Sequence, residues 1–192
     1  MISIDSMREW LKPVEILQPA DERQLSPERM RQLHNVATQF RQNAGHVLLI
    51  SGPGGSGKTL SAQVLARQMK ADLYRVDLSA LVGKYIGETE KNLSLLFETA
   101  EAMKIILYFD EADSLFGKRR GVRDTQDRYA NLDAEYVLSR IGAHRGLLIF
   151  TTNMSQPLEP AFLQLVNWTV SLSVPLPKPR MNWWQRWVAW KR

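Results

Sequence analysis

Residues 51–60 read SGPGGSGKTL and directly follow the short apolar run HVLLI at 46–50. The stretch from Gly52 to Thr59 satisfies the pattern G-x-x-x-x-G-K-[ST], in which glycines let backbone N–H groups converge on phosphate oxygens without obstruction by side chains. The apolar run predicts a buried strand, and the apolar residues after Lys58 recur with the period of a helix. Because a helix N-terminus adds a partial positive charge, this strand, loop and helix predict a phosphate-binding site.

Two side chains of this loop bring specific chemistry. Lys58 can reach the β- and γ-phosphates of a nucleotide, and the hydroxyl of Thr59 can bind Mg²⁺. We therefore predict a nucleotide and Mg²⁺ as cofactors. The residues expected to hold the nucleotide form one continuous stretch: Gly52, Pro53, Gly54, Gly55, Ser56, Gly57, Lys58, Thr59 and Leu60.

A second apolar run, at 105–109, ends in the two acids Asp110 and Glu111, which is the Walker B pattern. A buried strand would deliver Asp110 to its carboxyl end beside the phosphate loop, where this carboxylate can hold the Mg²⁺ shell. Glu111 would then orient or deprotonate the attacking water. An acid pair after a strand can also cap the next helix. Here the pair comes after a predicted phosphate-binding loop in the chain, and this order favours a catalytic role. Asp113 is expected to be a loop or cap residue.

A third apolar run, at 146–151, ends in polar residues that include Asn153. The amide of Asn153 could hold the lytic water or contact the γ-phosphate. A terminal asparagine after a strand is also common in turns. The spacing alone leaves both interpretations open.

Strand-like and helix-like segments alternate along the chain. Apolar runs at 46–51, 72–78, 104–109 and 146–151 are separated by segments with helical spacing, and Ser26-Pro27-Glu28 predicts a helix start. From 168 to 174 apolar and polar residues alternate, which predicts a strand at a sheet edge or on a thinly covered face. The fold class expected is α/β, a three-layer domain with a mostly parallel five-stranded sheet. Residues 1–27, with three prolines, predict an irregular lead-in.

Composition narrows the class of protein. The length of 192 residues fits one domain. The chain has no cysteine, which fits a reducing compartment. Its apolar runs are far shorter than the ~20 residues that span a bilayer, so we predict no transmembrane segment and a cytoplasmic location. A net charge of +5 would suit nucleic acid, but the basic residues are scattered, which argues against a nucleic-acid partner.

Taken together, GPGGSGKT, YFDEAD at 108–113, IFTTN at 149–153 and LVGKYIGETEKNL at 81–93 resemble the AAA family of ATPases, which includes protein unfoldases and remodelling motors. The resemblance covers roughly residues 28 to 180 and implies a P-loop NTPase fold for this ATPase domain. It implies ATP hydrolysis with Lys58, Glu111 and Asn153 in the reaction, Asn153 as the sensor. It further implies a protein substrate and a ring of like or unlike subunits, usually a hexamer, with ATP sites at the interfaces.

In such rings an aromatic–hydrophobic–glycine loop lines the pore and grips the substrate. Tyr85, Ile86 and Gly87 match this pattern. The other interpretation is a loop that folds back on the core. The basic segment KRRGVRD at 118–124 falls where a second pore loop would lie, and a solvated loop fits it equally well.

The sequence departs from the family in two places. The family carries arginines shortly after the sensor strand that reach into the neighbouring subunit, but Gln164 and its neighbours occupy that position and no basic residue appears before Lys178. The family also continues into a helical lid, for which this chain is expected to lack the length. Residues 181–192, MNWWQRWVAWKR, predict a Trp-rich helix or tail that packs on the domain, begins a lid, binds a partner or lies on a membrane surface.

Three hypotheses therefore remain at the level of sequence. The first is an AAA-type ATPase that remodels a protein substrate. The second is a truncated nucleotide-binding module with little or no hydrolysis that acts within a complex, as the missing arginine suggests. The third is a nucleic-acid-directed P-loop ATPase, which only the basic charge supports.

Overall fold

The computed structural model describes residues 7, 9–14, 25–42, 45–81, 88–116, 134–154 and 157–173. Within these ranges the chain forms six strands and seven helices. The strands are β1 (Leu11–Pro13), β2 (Val47–Ser51), β3 (Leu73–Val76), β4 (Ile106–Phe109), β5 (Leu148–Thr152) and β6 (Trp168–Ser171). The helices are α1 (Pro27–Arg41), α2 (Lys58–Met69), α3 (Leu78–Leu81), α4 (Glu88–Met103), α5 (Ala112–Phe116), α6 (Ala134–Ala143) and α7 (Pro160–Leu165).

All six strands belong to one sheet, in the order β1-β3-β4-β5-β2-β6. Strand β1 runs antiparallel to β3, and every other pair is parallel. The central strands β4, β5 and β2 are neighbours, so their carboxyl ends lie at the same edge of the sheet. In open parallel sheets, ligands bind in the crevice outside this edge. The topology therefore brings together the segments that follow β2, β4 and β5.

The sheet is covered on both faces, as its apolar strands require. Every residue of β2, β4 and β5 is buried, which is the pattern of parallel strands between two helical layers. One core cluster joins the sheet to α1 and α2, and the other joins it to α4, α5, α6 and α7. The prediction of a three-layer α/β domain is confirmed.

Aromatic rings pack around the end of β4 and the middle of β5. The rings of Phe109 and Phe150 stack with centroids 4.7 Å apart, and those of Phe116 and Phe162 stack at 4.5 Å. Phe116 also meets Phe150 edge to face. Such pairs contribute beyond their buried area. Because Phe109 directly precedes Asp110, this packing fixes the strand end that carries the acid pair.

The structure has six strands in its described part, one more than predicted. The additional strand lies within residues 1–27, which were predicted to be irregular. Leu11–Pro13 forms β1 at the sheet edge, and the side chain of Leu11 is buried in the core. Pro13 is tolerated there because an edge strand leaves one side of its backbone unpaired. A strand of three residues is too short for its hydrophobic period to be recognised.

Other predicted elements are confirmed. Helix α1 begins at Pro27, and the Ser26 side chain caps it by accepting from the N–H of Arg29 at 3.3 Å. Strand β6 lies at the sheet edge beside β2, with Val170 buried and Thr169 and Ser171 exposed. None of the helices in the described ranges has both the length and the hydropathy to cross a membrane.

Candidate functional site

The phosphate-binding loop joins β2 directly to α2. Gly57 occupies the N-cap position of α2 with a φ of 90°, a left-handed conformation that glycine adopts without a steric penalty. At Gly52 both the φ of 155° and the lack of space require glycine, because a Cβ there would lie 2.5 Å from the Leu172 carbonyl oxygen. The loop is thus shaped by its own helix and by the backbone that follows β6.

Lys58 is the first residue of α2, directly after this loop, and uses all three of its ammonium donors. Its Nζ donates to the carbonyl oxygens of Gly52 at 2.8 Å and Pro53 at 3.1 Å. The third bond goes to Oδ1 of Asn153 at 2.6 Å, although the two residues are far apart in the sequence. The Asn153 amide therefore contacts the lysine that follows the loop, and its role as a sensor stays a prediction.

Asp110 follows β4 at the same edge and is held by three side chains. Its Oδ1 accepts from the hydroxyls of Thr151 at 2.5 Å and Tyr108 at 3.3 Å. Its Oδ2 lies 3.2 Å from Nη2 of Arg75, which comes from β3. Strands on both sides of β4 therefore contribute to the position of this carboxylate.

Tyr108 connects the acid strand to the phosphate-binding loop. Its hydroxyl lies 3.1 Å from Oγ1 of Thr59, so the two predicted Mg²⁺ ligands, Thr59 and Asp110, contact the same phenol. Burial raises the pKa of Tyr108, and the hydrogen bond with Thr59 opposes part of this rise. The phenol is therefore protonated at neutral pH and can donate.

Glu111 adopts an unusual backbone conformation next to this network. Its φ is 58°, in the left-handed region that few non-glycine residues adopt. The N–H of Glu111 donates to Oγ1 of Thr151 at 3.3 Å, and its carbonyl accepts from the Ser114 hydroxyl at 2.7 Å. Its side chain is exposed. Backbone strain of this kind clusters at functional sites, where the surrounding structure holds it in place.

The residues present fit a nucleotide with Mg²⁺. The hydroxyl of Ser56 is buried and has no hydrogen-bond partner among the described residues. A Cβ at Gly54 or Gly55 would meet nothing within 4 Å, so the loop presents its backbone to open space. The hydroxyl and carboxylate oxygens of Thr59 and Asp110 are the ligand types that Mg²⁺ prefers. In the described part of the chain no group of three or more His, Cys, Asp or Glu gathers as for a metal held by protein alone.

Four residues of this region were not predicted from the sequence: Arg29, Arg75, Tyr108 and Thr151. Nη1 of Arg29 donates to the carbonyl of Ser56 at 3.1 Å and ties α1 to the phosphate-binding loop. A signal for Tyr108 was present, because it lies two residues before Asp110 and hence on the same side of the strand. Nothing in the sequence points to the other three.

Other predicted positions lie elsewhere. Asp113 is in the first turn of α5. Gln164 is exposed on α7, where the resemblance implies an arginine. Oδ1 of Asn167 accepts from the N–H groups of His46 and Val47 at 2.8 and 2.9 Å, which secures the start of β2. Leu60 follows Thr59 in the first turn of α2 and is partly exposed.

Three predicted features fall outside the described residues: the proposed pore loop of Tyr85, Ile86 and Gly87, the basic segment 118–124 and the tail 181–192. They stay predictions from the sequence. The domain boundaries at 28, 180 and 181 also stay predictions.

Comparison with known proteins decides the family. The model of the ATPase family associated with various cellular activities (AAA) matches residues 48–175. The chain belongs to the AAA family. AAA is a family of ATPases, so ATP-driven activity is the general class to which this protein belongs.

Among the curated relatives of this AAA chain are spastins. Spastin of Xenopus tropicalis is 34% identical over 141 residues, which is 70% of this chain and 23% of spastin. Human spastin is 34% identical over 141 residues, which is 70% of this chain and 22% of spastin. The chain therefore spans less than a quarter of the length of these relatives.

Solved structures share the AAA fold at low identity. The FIGL-1 AAA domain aligns with a TM-score of 0.67 and 22% identity, over 90% of this chain and 61% of that one. A chain of the HORMA:CdnC:Trip13 complex of E. coli MS115-1 aligns with a TM-score of 0.62 and 17% identity, over 91% and 72%. A FIGL-1 AAA domain has also been solved in complex with ADP; it aligns with a TM-score of 0.67 and 22% identity, over 97% and 66%.

Proposed function

We propose that this AAA chain binds ATP with Mg²⁺ and hydrolyses it, and that it works in a ring that remodels a protein substrate. The observation that supports hydrolysis best is the hydrogen bond of 2.6 Å between Lys58 and Asn153, because it joins the phosphate-binding loop to the end of β5. Asp110 follows the adjacent strand β4. The lysine, acid and amide to which we assign the binding, metal and sensor roles follow the neighbouring strands β2, β4 and β5.

Each residue has a separate role in the proposed reaction. Lys58 and the backbone N–H groups of residues 52–59 bind and orient the phosphates. Thr59 and Asp110 would hold Mg²⁺, which when bound neutralises charge on the phosphates. Glu111 takes a proton from the attacking water or orients it, and its exposed carboxylate is accessible to that water. Asn153 positions the water or the γ-phosphate.

Ring assembly and a protein substrate belong to the same proposal. They rest on the family, on the similarity to spastin and on the match of Tyr85, Ile86 and Gly87 to a pore loop. In this arrangement Tyr85 and Ile86 would contact the substrate in the pore. We also propose a hexamer of like or unlike subunits, which the family suggests. A cytoplasmic location is part of the proposal because the chain has no cysteine.

A second candidate function is nucleotide binding with little or no hydrolysis within a complex. The exposed Gln164 on α7 favours it, because the resemblance places an arginine there and no residue between Arg145 and Lys178 is basic. Such an arginine increases the rate by about 10³–10⁵ in P-loop enzymes. A chain without it could bind ATP in a ring and depend on a complete subunit for turnover.

One assay separates the two candidates. ATP turnover is measured against protein concentration for the wild type, Glu111→Gln and Glu98→Gln, with particle size measured in the same samples. Turnover that rises with assembly and falls about 10²-fold or more in Glu111→Gln supports hydrolysis. Glu98 is the control because its contact with Arg140 is exposed and long, at 3.7 Å. ATP binding without turnover at any concentration would support the second candidate.

The nucleic-acid alternative is tested in the same assay. Single-stranded DNA is added at several salt concentrations, and both binding and turnover are recorded. An ATPase directed to nucleic acid would bind with a steep dependence on salt and would be stimulated. We expect neither, because the basic residues do not form one cluster along the chain.

A further inference from the structure

The hydroxyl of Tyr108 stands between the two groups that would hold Mg²⁺. It lies 3.1 Å from Oγ1 of Thr59 and 3.3 Å from Oδ1 of Asp110. Tyr108 is only 1% exposed, so water could not easily replace the phenol if it were removed. The two contacts join α2 to the end of β4 through one oxygen atom.

The direction of these hydrogen bonds follows from the chemistry of the groups. An ionised carboxylate can only accept, so Tyr108 donates its single proton to Asp110. The contact between Tyr108 and Thr59 must then use the Thr59 proton, with the phenol oxygen as acceptor. The lone pairs of the Thr59 oxygen are left for a cation. The same chain of bonds restrains the Asp110 carboxylate, which Thr151 holds at the same oxygen.

We infer that Tyr108 is a positioning residue of the Mg²⁺ site, whose hydroxyl orients the Thr59 oxygen toward the cation and fixes Asp110 beside it. This inference rests on the proposed function. A phenylalanine at this position would fill the same space in the core. It would leave Thr59 without its acceptor and Asp110 without one of its donors.

The test compares Tyr108→Phe with the wild type and with Tyr136→Phe. Tyr136 is a matched control because its hydroxyl also makes two contacts, with Ser94 at 2.6 Å and the Glu90 carbonyl at 3.3 Å, on helices away from the nucleotide site. Binding of a fluorescent, non-hydrolysable ATP analogue is measured in EDTA and then across a Mg²⁺ titration. Thermal unfolding is recorded without nucleotide.

In Tyr108→Phe we expect the Mg²⁺ concentration for half-maximal tightening of analogue binding to rise about fivefold, the effect of one hydrogen bond. Analogue affinity in EDTA should equal that of the wild type, and Tyr136→Phe should match the wild type in both. Equal Mg²⁺ midpoints for Tyr108→Phe and the wild type would overturn this inference and leave the proposed function standing.

Two other results would also overturn it. A loss of affinity that is the same in EDTA and in Mg²⁺ would show that the hydroxyl shapes the nucleotide pocket and not the cation site. A Tyr108→Phe chain that does not fold would show that the hydroxyl serves the fold. A wild type that binds no nucleotide under any condition would instead contradict the proposed function, and the inference with it.

Discussion

Nζ of Lys58 donates to Oδ1 of Asn153 at 2.6 Å. The lysine comes from the first residue of α2 and the asparagine from the residue after β5, so this bond links two parts of the chain that meet only through the order of the strands. Both the predicted binding residue and the predicted sensor are therefore side by side. A substitution at Asn153 therefore removes a hydrogen-bond partner from the Lys58 ammonium, which is expected to bind the phosphates.

Asn153→Ala should separate binding from turnover. Lys58 keeps its two carbonyl partners, so we expect ATP affinity within a few-fold of the wild type. Turnover should fall about 10²-fold, as when one positioned polar group is removed from a reaction centre. Titration with a fluorescent analogue and a phosphate-release assay measure the two effects. Asn35→Ala, an exposed change on α1, is the control, and equal turnover in both variants would contradict a sensor role.

Gly52→Ala should destabilise the fold, whereas Gly54→Ala should not. A Cβ at Gly52 would lie 2.5 Å from the Leu172 carbonyl and 2.8 Å from the Ser56 hydroxyl, while one at Gly54 meets nothing within 4 Å. Overpacking of this kind costs about 1–3 kcal/mol of unfolding free energy. Urea denaturation of both variants without nucleotide measures the difference. Equal unfolding midpoints would show that the loop moves away from β6 without cost.

Gln164→Arg should increase ATP turnover if the missing arginine limits the rate. The position is exposed on α7, so a longer side chain can be accommodated without repacking the core. We expect at least a tenfold rise in turnover at concentrations that allow assembly, which is below the full effect of about 10³–10⁵. Gln32→Arg, the same change on the exposed face of α1, controls for added charge. If both variants turn over ATP at the wild-type rate, α7 does not face a neighbouring site.

We expect the free energy of unfolding to fall as the pH is lowered from about 6.5 to about 4, because of His144. Burial lowers the pKa of His144 to about 4, against the opposing effect of Glu101, whose Oε1 lies 3.2 Å from Nδ1; His46 and Arg140 lower it further. In this range the unfolded chain binds a proton at His144 and the folded chain does not. Unfolding free energy therefore rises with pH, by at most about 1.4 kcal/mol per pH unit.

Urea denaturation at several pH values measures this slope. His144→Leu should flatten it, because the variant has no group there to take up a proton on unfolding. His34→Gln is the control, since His34 is exposed on α1. The carboxylates contribute to the acid slope in all three proteins, so the difference between them isolates His144. A His144→Leu profile parallel to the wild type would refute the assignment.

Much of the fold and of the site could be predicted because the signals are local. The pattern from Gly52 to Thr59 requires particular residues at fixed spacing, and Asp110 and Asn153 each end an apolar run that is long enough to recognise. The start of α1 at Pro27 followed from a cap that is local too. Strand β1 was missed because three residues are too few to show a period.

The sequence by itself determined the strand–loop–helix that carries Lys58 and Thr59, and the presence of acids and an amide at the ends of two further strands. Only the tertiary structure decided that β5 lies between β4 and β2, and hence that Asn153 reaches Lys58 while Thr151 and Arg75 contact Asp110. The physical reason is that strand order and register depend on side chains that pack across the whole core. No local spacing in the chain specifies such contacts.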